Sequence, residues 1–395
     1  MTTQALVERK TFAIDGFRLT ELTIDKVYVR GHFYSDKAPG LALLAVPIYY
    51  PLYRAGIRID DRRRNLVAVI ITFLIVGISS LLCLAAFHDA LRIVGLSDRA
   101  RLLMTAGLAF GTLFLPWSTT LNNHAFSGAW TFIGFYYLLK AKSGEKVNIR
   151  LAAAGAAMGL AAAADTTCTL FVGGFGLYVL ASRVLRRGLF AYAIAALVLL
   201  LPGWIINYAI SGSLRPMTTR AAFWHYPGSY WDHSPERLTG ITRNSPRFTI
   251  KYAFLSFFGS QGFLLYNPLL FIALYELVRL IRFRGPLWRE AMLVLALSCP
   301  FVGFFLLYSS NFGGSSYSVR WFVTLIPLIW FFAYPFFAAW TPAKRRIYAT
   351  VWSLSAAIAA IGIFSQWPPT FILGKSGLLL NCHDIATGLL HHFRS

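Results

Sequence analysis

The chain has 395 residues, of which 57% are hydrophobic and only 13% are charged, and its mean hydropathy is +0.57. Soluble globular proteins are about half apolar and about one quarter charged, so this composition excludes a soluble enzyme with a single core. Aromatic residues make up 16% of the chain, and apolar runs such as 66–87 are long enough to cross a bilayer. The sequence therefore predicts a polytopic membrane protein.

The net charge of +21 has three possible explanations. The chain binds nucleic acid, it binds anionic lipid, or its cytoplasmic loops are positively charged, as is usual in membrane proteins. No block of basic residues accompanies stacking aromatics on a soluble domain, which argues against nucleic acid. The four cysteines form no CxxC pair, so they indicate neither a zinc site nor a disulfide framework. We interpret them as small packing residues.

Ten apolar segments predict an all-α fold, a polytopic bundle of transmembrane helices. They are 66–88, 102–121, 125–139, 151–164, 167–182, 189–210, 261–278, 291–309, 321–340 and 347–367. The segments 125–139 and 151–164 are shorter than the roughly 20 residues that a perpendicular helix needs. We expect these two to use polar flanks or to pair with a neighbour through small residues.

The basic residues favour one orientation of this bundle, with residues 1–65 outside. Seventeen of the 37 basic residues then lie in inner connections, and nine lie in outer connections after residue 88, six of them in the long loop 211–260. Charge governs short loops more strongly than long translocated ones, so this distribution supports the orientation. It divides the chain into an outer N-terminal segment 1–65, a transmembrane domain 66–367 and an outer tail 368–395.

The N-terminal segment 1–65 carries the other eleven basic residues, although neither a signal peptide nor a transmembrane helix precedes it. Either the orientation is inverted or the chain begins inside a longer reading frame, and we expect the second. The apolar run 38–53 contains Pro39, Pro47 and Pro51. Prolines at this density predict an interfacial helix rather than a spanning one.

Ionisable residues beside membrane segments are costly and are therefore the first functional candidates. In this orientation Asp36, Lys37, Asp165 and Arg320 all lie on the outer side. Lys37 and Arg320 are suited to binding a phosphate. A surface ion pair for Lys37 and snorkelling at a helix end for Arg320 are the alternatives.

Two further outer sites have a polar character and a structural alternative. Asn123 and His124 are suited to hydrogen-bonding a sugar or, for His124, to acid–base chemistry, but helix capping by Asn122 or Asn123 explains the same pattern. Asp165 is either a catalytic carboxylate or the N-cap of the next segment.

The long outer loop contains Trp224, Tyr230 and Trp231, whose rings are suited to stacking on sugars. An aromatic belt at the membrane interface is the alternative interpretation of these three residues.

The run 31–41, which contains Asp36-Lys37-Ala38-Pro39-Gly40-Leu41, resembles the Asp-Lys-Pro-Pro-Leu signature of bacterial membrane glycosyltransferases of the GT-C class. These include protein O-mannosyltransferases and lipid A aminoarabinose transferases. Asn123-His124 and the run from Gly313-Gly314 to Arg320-Trp321 occur in the expected order.

The resemblance implies a multi-helix fold with outer juxtamembrane helices, placed in a bacterial inner membrane. It also implies transfer from a polyprenyl-phosphate-linked sugar to a glycan, lipid or protein acceptor on the extracytoplasmic face. Lys37 and Arg320 would contact the donor phosphate, and Asn123 and His124 would border the sugar or the acceptor. The class has no uniform metal requirement, and the resemblance implies no cofactor.

One departure concerns the catalytic acid, which the class carries in its first outer loop and which by the match would precede Met1. The base is therefore lost, is replaced by Asp36 or Asp165, or belongs to a longer gene product, and we expect little transferase activity from this chain as given. We expect Lys37 to keep Asp36 ionised and weakly basic, and we expect burial to raise the pKa of Asp165.

The competing function is that of a transporter or flippase for a lipid-linked sugar. Such a protein needs ionisable residues at the bilayer midplane and internal repeats. Glu276 is nearly the only acidic residue within the predicted segments, which favours the enzyme.

Overall fold

The fold is known from a computed structural model, and the structure describes residues 1–59, 65–233, 238–368 and 376–392. The chain begins with α1 (Thr2–Arg9), α2 (Arg18–Leu22), a hairpin of β1 (Lys26–Val29) and β2 (His32–Ser35), and α3 (Gly40–Arg54). The next elements are α4 (Leu66–Thr72), a π-helical turn (Phe73–Gly77), α5 (Ile78–Ile93), α6 (Asp98–Phe110), α7 (Phe114–Ser118), α8 (Asn123–Ala141), α9 (Val147–Ala164), α10 (Thr169–Ala181) and α11 (Leu189–Ser211). The last are α12 (Pro246–Phe258), α13 (Leu269–Arg282), α14 (Trp288–Tyr308), α15 (Ile326–Phe331), α16 (Tyr334–Ala338), α17 (Pro342–Phe364) and α18 (Gly377–His392).

Within these described ranges, six helices are long and apolar enough to cross a membrane. They are Leu66–Ile93, Val147–Ala164, Leu185–Ser211, Trp288–Tyr308, Arg320–Ala338 and Pro342–Phe364. Apolar side chains such as Phe190 and Ile205 are exposed along α11, as expected of a surface that faces lipid. The chain is thus an integral membrane protein, and the count of ten spans stays a prediction.

Helices occur at all ten predicted segments, but the segments 102–121 and 321–340 are each divided and the segment 261–278 becomes helical late. The segment 102–121 is divided because α6 ends at Phe110, with Gly111 as its C-cap, and α7 begins at Phe114. The segment 261–278 starts with turns, so that α13 begins only at Leu269.

The centre of the bundle is α8, which is buried along most of its length against α5, α9 and the 3₁₀ turn Arg320–Leu325. On the other side of α9, α11 approaches closely at two glycines. A Cβ atom at Gly155 would lie 2.0 Å from the Tyr192 carbonyl oxygen, and one at Gly159 would lie 2.4 Å from that of Ala196. The prediction that this short segment pairs with a neighbour through small residues is confirmed.

The N-terminal segment is folded against the bundle. α1 packs on α3, and α3 is one continuous helix that includes Pro47 and Pro51. The expected interfacial element is therefore helical; its depth in a membrane stays a prediction.

Among the described residues, the β-hairpin is an element that an all-α prediction omits. Its core residues Val27 and Val29 pack against Met217 and Trp224 from the long loop after α11. The hairpin and this loop thus form a small subdomain beside the bundle.

The predicted tail 368–395 contains α18, which packs on α17. Asn381 donates hydrogen bonds to the carbonyl oxygens of Ile361 and Ser365. Residues 60–64, 234–237, 369–375 and 393–395 lie outside the described part of the chain.

Candidate functional site

A cavity of about 390 Å³ lies at one end of the bundle, against the subdomain of the hairpin and the long loop. Its polar wall comes from the hairpin, the start of α8 and the turn after α14, while α3, α9 and α11 supply an apolar wall. The polar side chains of the cavity include Asp25, Asp36, Lys37, Asn123 and Arg320, and the ring of Trp367 lies beside them.

The hairpin register brings two carboxylates together at this cavity. Lys26 pairs with Ser35, and the chain turns at Arg30 (φ 50°) and Gly31 (φ 89°), so that Asp25 and Asp36 flank the open end of the hairpin. Asp25 was not among the predicted site residues. The spacing about a two-residue turn that ends in glycine was the signal that could have found it.

Lys37 lies between these carboxylates. Its Nζ atom is 2.6 Å from Asp36 Oδ2 and 3.3 Å from Asp25 Oδ2. Burial acts to lower the pKa of Lys37, but Asp36 and Asp25 outweigh burial and the pKa is raised. The side chain is still 49% exposed, so a charged ammonium group is accessible from the cavity.

The side chain of Asp36 is less accessible to solvent than that of Lys37, because only 11% of it is exposed. Burial raises the pKa of Asp36 although the positive charge of Lys37 opposes the shift. Its Oδ1 atom is buried and has no hydrogen-bond partner among the described residues. The expectation that Lys37 keeps this carboxyl group weakly basic is therefore wrong, since desolvation dominates.

Arg320 opens the 3₁₀ turn Arg320–Leu325, and its guanidinium group lies 4.5 Å above the Trp367 ring centre. The backbone at Gly313 lies against its side chain, since a Cβ there would be 3.1 Å from Arg320 Cγ. Arg320 Nε is buried without a hydrogen bond, and no carboxylate in the described part of the chain forms an ion pair with this residue. Its donors are thus free to bind an anion.

His124 and Asp165 form a buried pair behind the cavity wall. His124 Nδ1 is 2.6 Å from Asp165 Oδ2, and both side chains are less than one-tenth exposed. Asp165 Oδ1 also accepts hydrogen bonds from the Thr167 hydroxyl and amide groups. Burial acts to raise the pKa of Asp165, but the interaction with His124 outweighs burial and the pKa is lowered, opposite to our expectation.

The interpretation of Asn122 and Asp165 as helix-capping residues is confirmed. Asn122 Oδ1 accepts from the amides of His124 and Ala125, and so it caps α8, while Asp165 caps the turn that follows α9. Asn122 and Asn123 line the cavity, whereas His124 and Asp165 do not. The structure therefore brings Asn123 to the site and gives the two acid–base candidates a supporting position.

The aromatic candidates of the outer loop pack on the hairpin. Trp224 is 5% exposed and donates its indole N–H to the Thr218 carbonyl oxygen. Trp231 donates to the carbonyl oxygen of Ile24, and the Tyr230 ring, 46% exposed, packs edge-on against Trp231. None of these three rings lines the cavity. Trp224 and Trp231 instead pack in the cluster that holds the hairpin, which carries the site carboxylates.

No protein-family model matches the chain, and no curated protein matches its sequence. Among solved structures, it is similar to ArnT from Cupriavidus metallidurans bound to undecaprenyl phosphate, with a TM-score of 0.56 and 16% identity over 90% of this chain and 57% of that chain. It is also similar to the archaeal oligosaccharyltransferase AglB from Archaeoglobus fulgidus in complex with an inhibitory peptide and a dolichol-phosphate. The TM-score is 0.53, with 14% identity over 87% of this chain and 50% of that chain.

Both of these proteins are GT-C glycosyltransferases, and the chain has the GT-C fold. It spans about half the length of each neighbour. The fold expected from the Asp36-Lys37 signature is therefore confirmed.

Proposed function

We propose that the chain is a membrane glycosyltransferase that binds a polyprenyl-phosphate-linked sugar in this cavity and transfers the sugar to an acceptor on the extracytoplasmic face. The observation that carries the proposal is the pair of accessible cations, Lys37 and Arg320, at the polar wall of a cavity whose other wall is apolar. A lipid phosphate presents the matching chemistry, because it joins an anionic group to an apolar chain. The likeness to ArnT and AglB supports the same donor class, since the ArnT structure is bound to undecaprenyl phosphate and the AglB structure is in complex with a dolichol-phosphate.

The reaction breaks the bond between the anomeric carbon of the sugar and the phosphate oxygen, and it forms a bond from that carbon to the acceptor oxygen. Negative charge then develops on the departing phosphate, where Lys37 and Arg320 stabilise it. A carboxylate takes the proton of the acceptor hydroxyl. In place of the expected loss of activity, we propose Asp36 as the base, because among the predicted bases it has the raised pKa and the unpartnered oxygen atom that this role needs.

Binding of undecaprenyl phosphate to the purified protein in detergent tests the phosphate site. Lys37→Ala and Arg320→Ala should each lower the affinity about tenfold or more, because a charge-assisted hydrogen bond is worth about 1.5–3 kcal/mol. Lys146→Ala and Arg187→Ala remove the same charges at exposed positions outside the cavity and should leave binding unchanged. Wild-type affinity in both cavity variants would overturn the proposal.

A second measurement separates the enzyme from a transporter. The protein is incubated with a radiolabelled polyprenyl-phosphate sugar and, in parallel, is reconstituted in liposomes that contain the same lipid. Release of polyprenyl phosphate with label transferred to an acceptor supports the transferase. Movement of intact donor across the bilayer without transfer would support the flippase instead.

A further inference from the structure

The loop that leads to Arg320 contains two strained residues. Phe312 (φ 54°) and Ser318 (φ 67°) both adopt the left-handed backbone conformation. This conformation is unfavourable for residues other than glycine, because the Cβ atom comes too close to the backbone. Gly313 and Gly314 between them adopt positive φ at no such cost. Backbone strain of this kind persists only where the surrounding structure holds it.

Both strained residues are held from the same side of the molecule, by α12 and the turn that follows it. The Phe312 amide donates to the Tyr252 hydroxyl oxygen at 3.1 Å, and the two rings are 4.8 Å apart. The Ser318 amide donates to Gln261 Oε1 at 3.0 Å, and the Ser318 hydroxyl donates to the Gln261 carbonyl oxygen at 3.0 Å.

These contacts fix the surroundings of the Arg320 guanidinium group. Ser318 lies two residues before Arg320, and Gly313, which follows Phe312, lies against the Arg320 side chain. The far side of the loop is anchored separately, because the Tyr317 amide donates to the carbonyl oxygen of Gln366, next to Trp367. The two sides together hold Arg320 between the loop backbone and the Trp367 ring.

We infer that Tyr252 and Gln261 are positioning residues that hold the strained loop and thereby aim Arg320 at the donor phosphate. This inference rests on the proposed function. Neither residue lines the cavity, so each acts through the loop rather than through contact with the ligand.

The experiment compares the affinity for undecaprenyl phosphate in variants of the full chain. Gln261→Ala should lower the affinity about fivefold to tenfold, because the loop relaxes and Arg320 loses its alignment. Adding Ser318→Gly should restore most of the loss, since glycine adopts a φ near 67° without the clamp. Tyr252→Phe removes only the hydroxyl group at the other strained residue. It should lower the affinity about twofold to fivefold, and Ser318→Gly should not restore it.

Thr341→Ala is the matched control, because it removes the hydrogen bond that caps α17 far from the cavity. Its melting temperature should fall while the affinity stays at the wild-type value. Wild-type affinity in Gln261→Ala and Tyr252→Phe, with a loss in Arg320→Ala, would overturn the positioning role and leave the proposed function standing. Wild-type affinity in Arg320→Ala would instead remove the proposed function.

The rescue distinguishes positioning from general stability. If Gln261→Ala lowers the affinity and Ser318→Gly does not recover it, the inference is overturned, because release of the strain at Ser318 would then not explain the lower affinity. If Gln261→Ala fails to fold, the conservative Tyr252→Phe variant decides the outcome by the same binding measurement.

Discussion

The pKa values of Asp36 and Asp165 are shifted in opposite directions, although both side chains have little exposure to solvent. Asp36 has a raised pKa because desolvation exceeds the stabilisation that Lys37 offers. Asp165 has a lowered pKa because the contact with His124 and the hydrogen bonds from Thr167 exceed the effect of burial. A general base needs a pKa nearer to neutrality, so the environment favours Asp36 over Asp165.

Asp36→Asn should therefore lower the turnover of a polyprenyl-phosphate sugar by about two orders of magnitude or more, because it removes the proton acceptor. Release of polyprenyl phosphate measures this turnover. Asp98→Asn, at an exposed carboxyl group far from the cavity, serves as the control. Turnover that survives in Asp36→Asn but disappears in Asp165→Asn would assign the base to Asp165.

The pH dependence of kcat/KM follows from the direction of the Asp36 shift. The active form is the carboxylate, so activity falls as the pH falls through the pKa of Asp36. Because burial raises this pKa, the acidic limb should lie above the value of about 3.9 that is usual for aspartate. A limb at or below that value, in a pH profile recorded on folded protein, would contradict the assignment.

His124 should contribute more to stability than to chemistry. His124→Ala leaves the buried Asp165 carboxylate without its imidazole partner, so the free energy of unfolding should fall by about 2–4 kcal/mol. Denaturation in detergent micelles measures the change, with His88→Ala, at a half-buried site, as the control. Because the pKa of Asp165 is lowered in the folded state, this stabilisation should be present above the unfolded-state pKa and should disappear as the pH falls through the lower folded-state pKa.

At the scale of elements, α9 and α11 pack closely through small residues rather than through large apolar side chains. Hydrophobic burial offers little attraction between helices in lipid, so close backbone approach at Gly155 and Gly159 increases van der Waals contact. This pairing lies next to the cavity, whose apolar wall both helices supply.

Gly155→Ala should destabilise the protein by about 1–3 kcal/mol, because the added Cβ meets the Tyr192 carbonyl oxygen and the helices must separate. Gly173→Ala in α10 is the matched control, since nothing lies within 4 Å of its Cβ position. That change should be neutral or stabilising by up to about 1 kcal/mol. Equal stability of the two variants in micelles would contradict the close packing of α9 and α11.

The β-hairpin is an element that the sequence pattern could have predicted. Val27 and Val29 alternate with polar or exposed positions, and Arg30-Gly31 suits a two-residue turn. The strands are only four residues each, so the pattern is weak within a chain dominated by helical segments.

At the scale of the whole molecule, the orientation in the membrane stays a prediction from the basic residues. In a background with Cys299→Ser and Cys382→Ser, which removes the exposed cysteines, a cysteine is introduced at Thr242 or at Ser143. A membrane-impermeant thiol reagent applied to intact cells should label the first and spare the second. The reverse pattern would invert the orientation and place the cavity on the cytoplasmic side.

The sequence by itself determined that the chain is a helical membrane protein, because long apolar runs with few charges are stable in lipid as helices, which satisfy their own backbone hydrogen bonds. It also singled out Lys37 and Arg320, since ionisable residues are conspicuous in such a chain. The tertiary structure decided which groups meet: Asp25 with Lys37, Arg320 with Trp367, and His124 with Asp165. It also reversed the expected pKa directions of Asp36 and Asp165. The reason is physical, since desolvation and pairing depend on distances between segments far apart in the chain, and a local pattern carries no information on those distances.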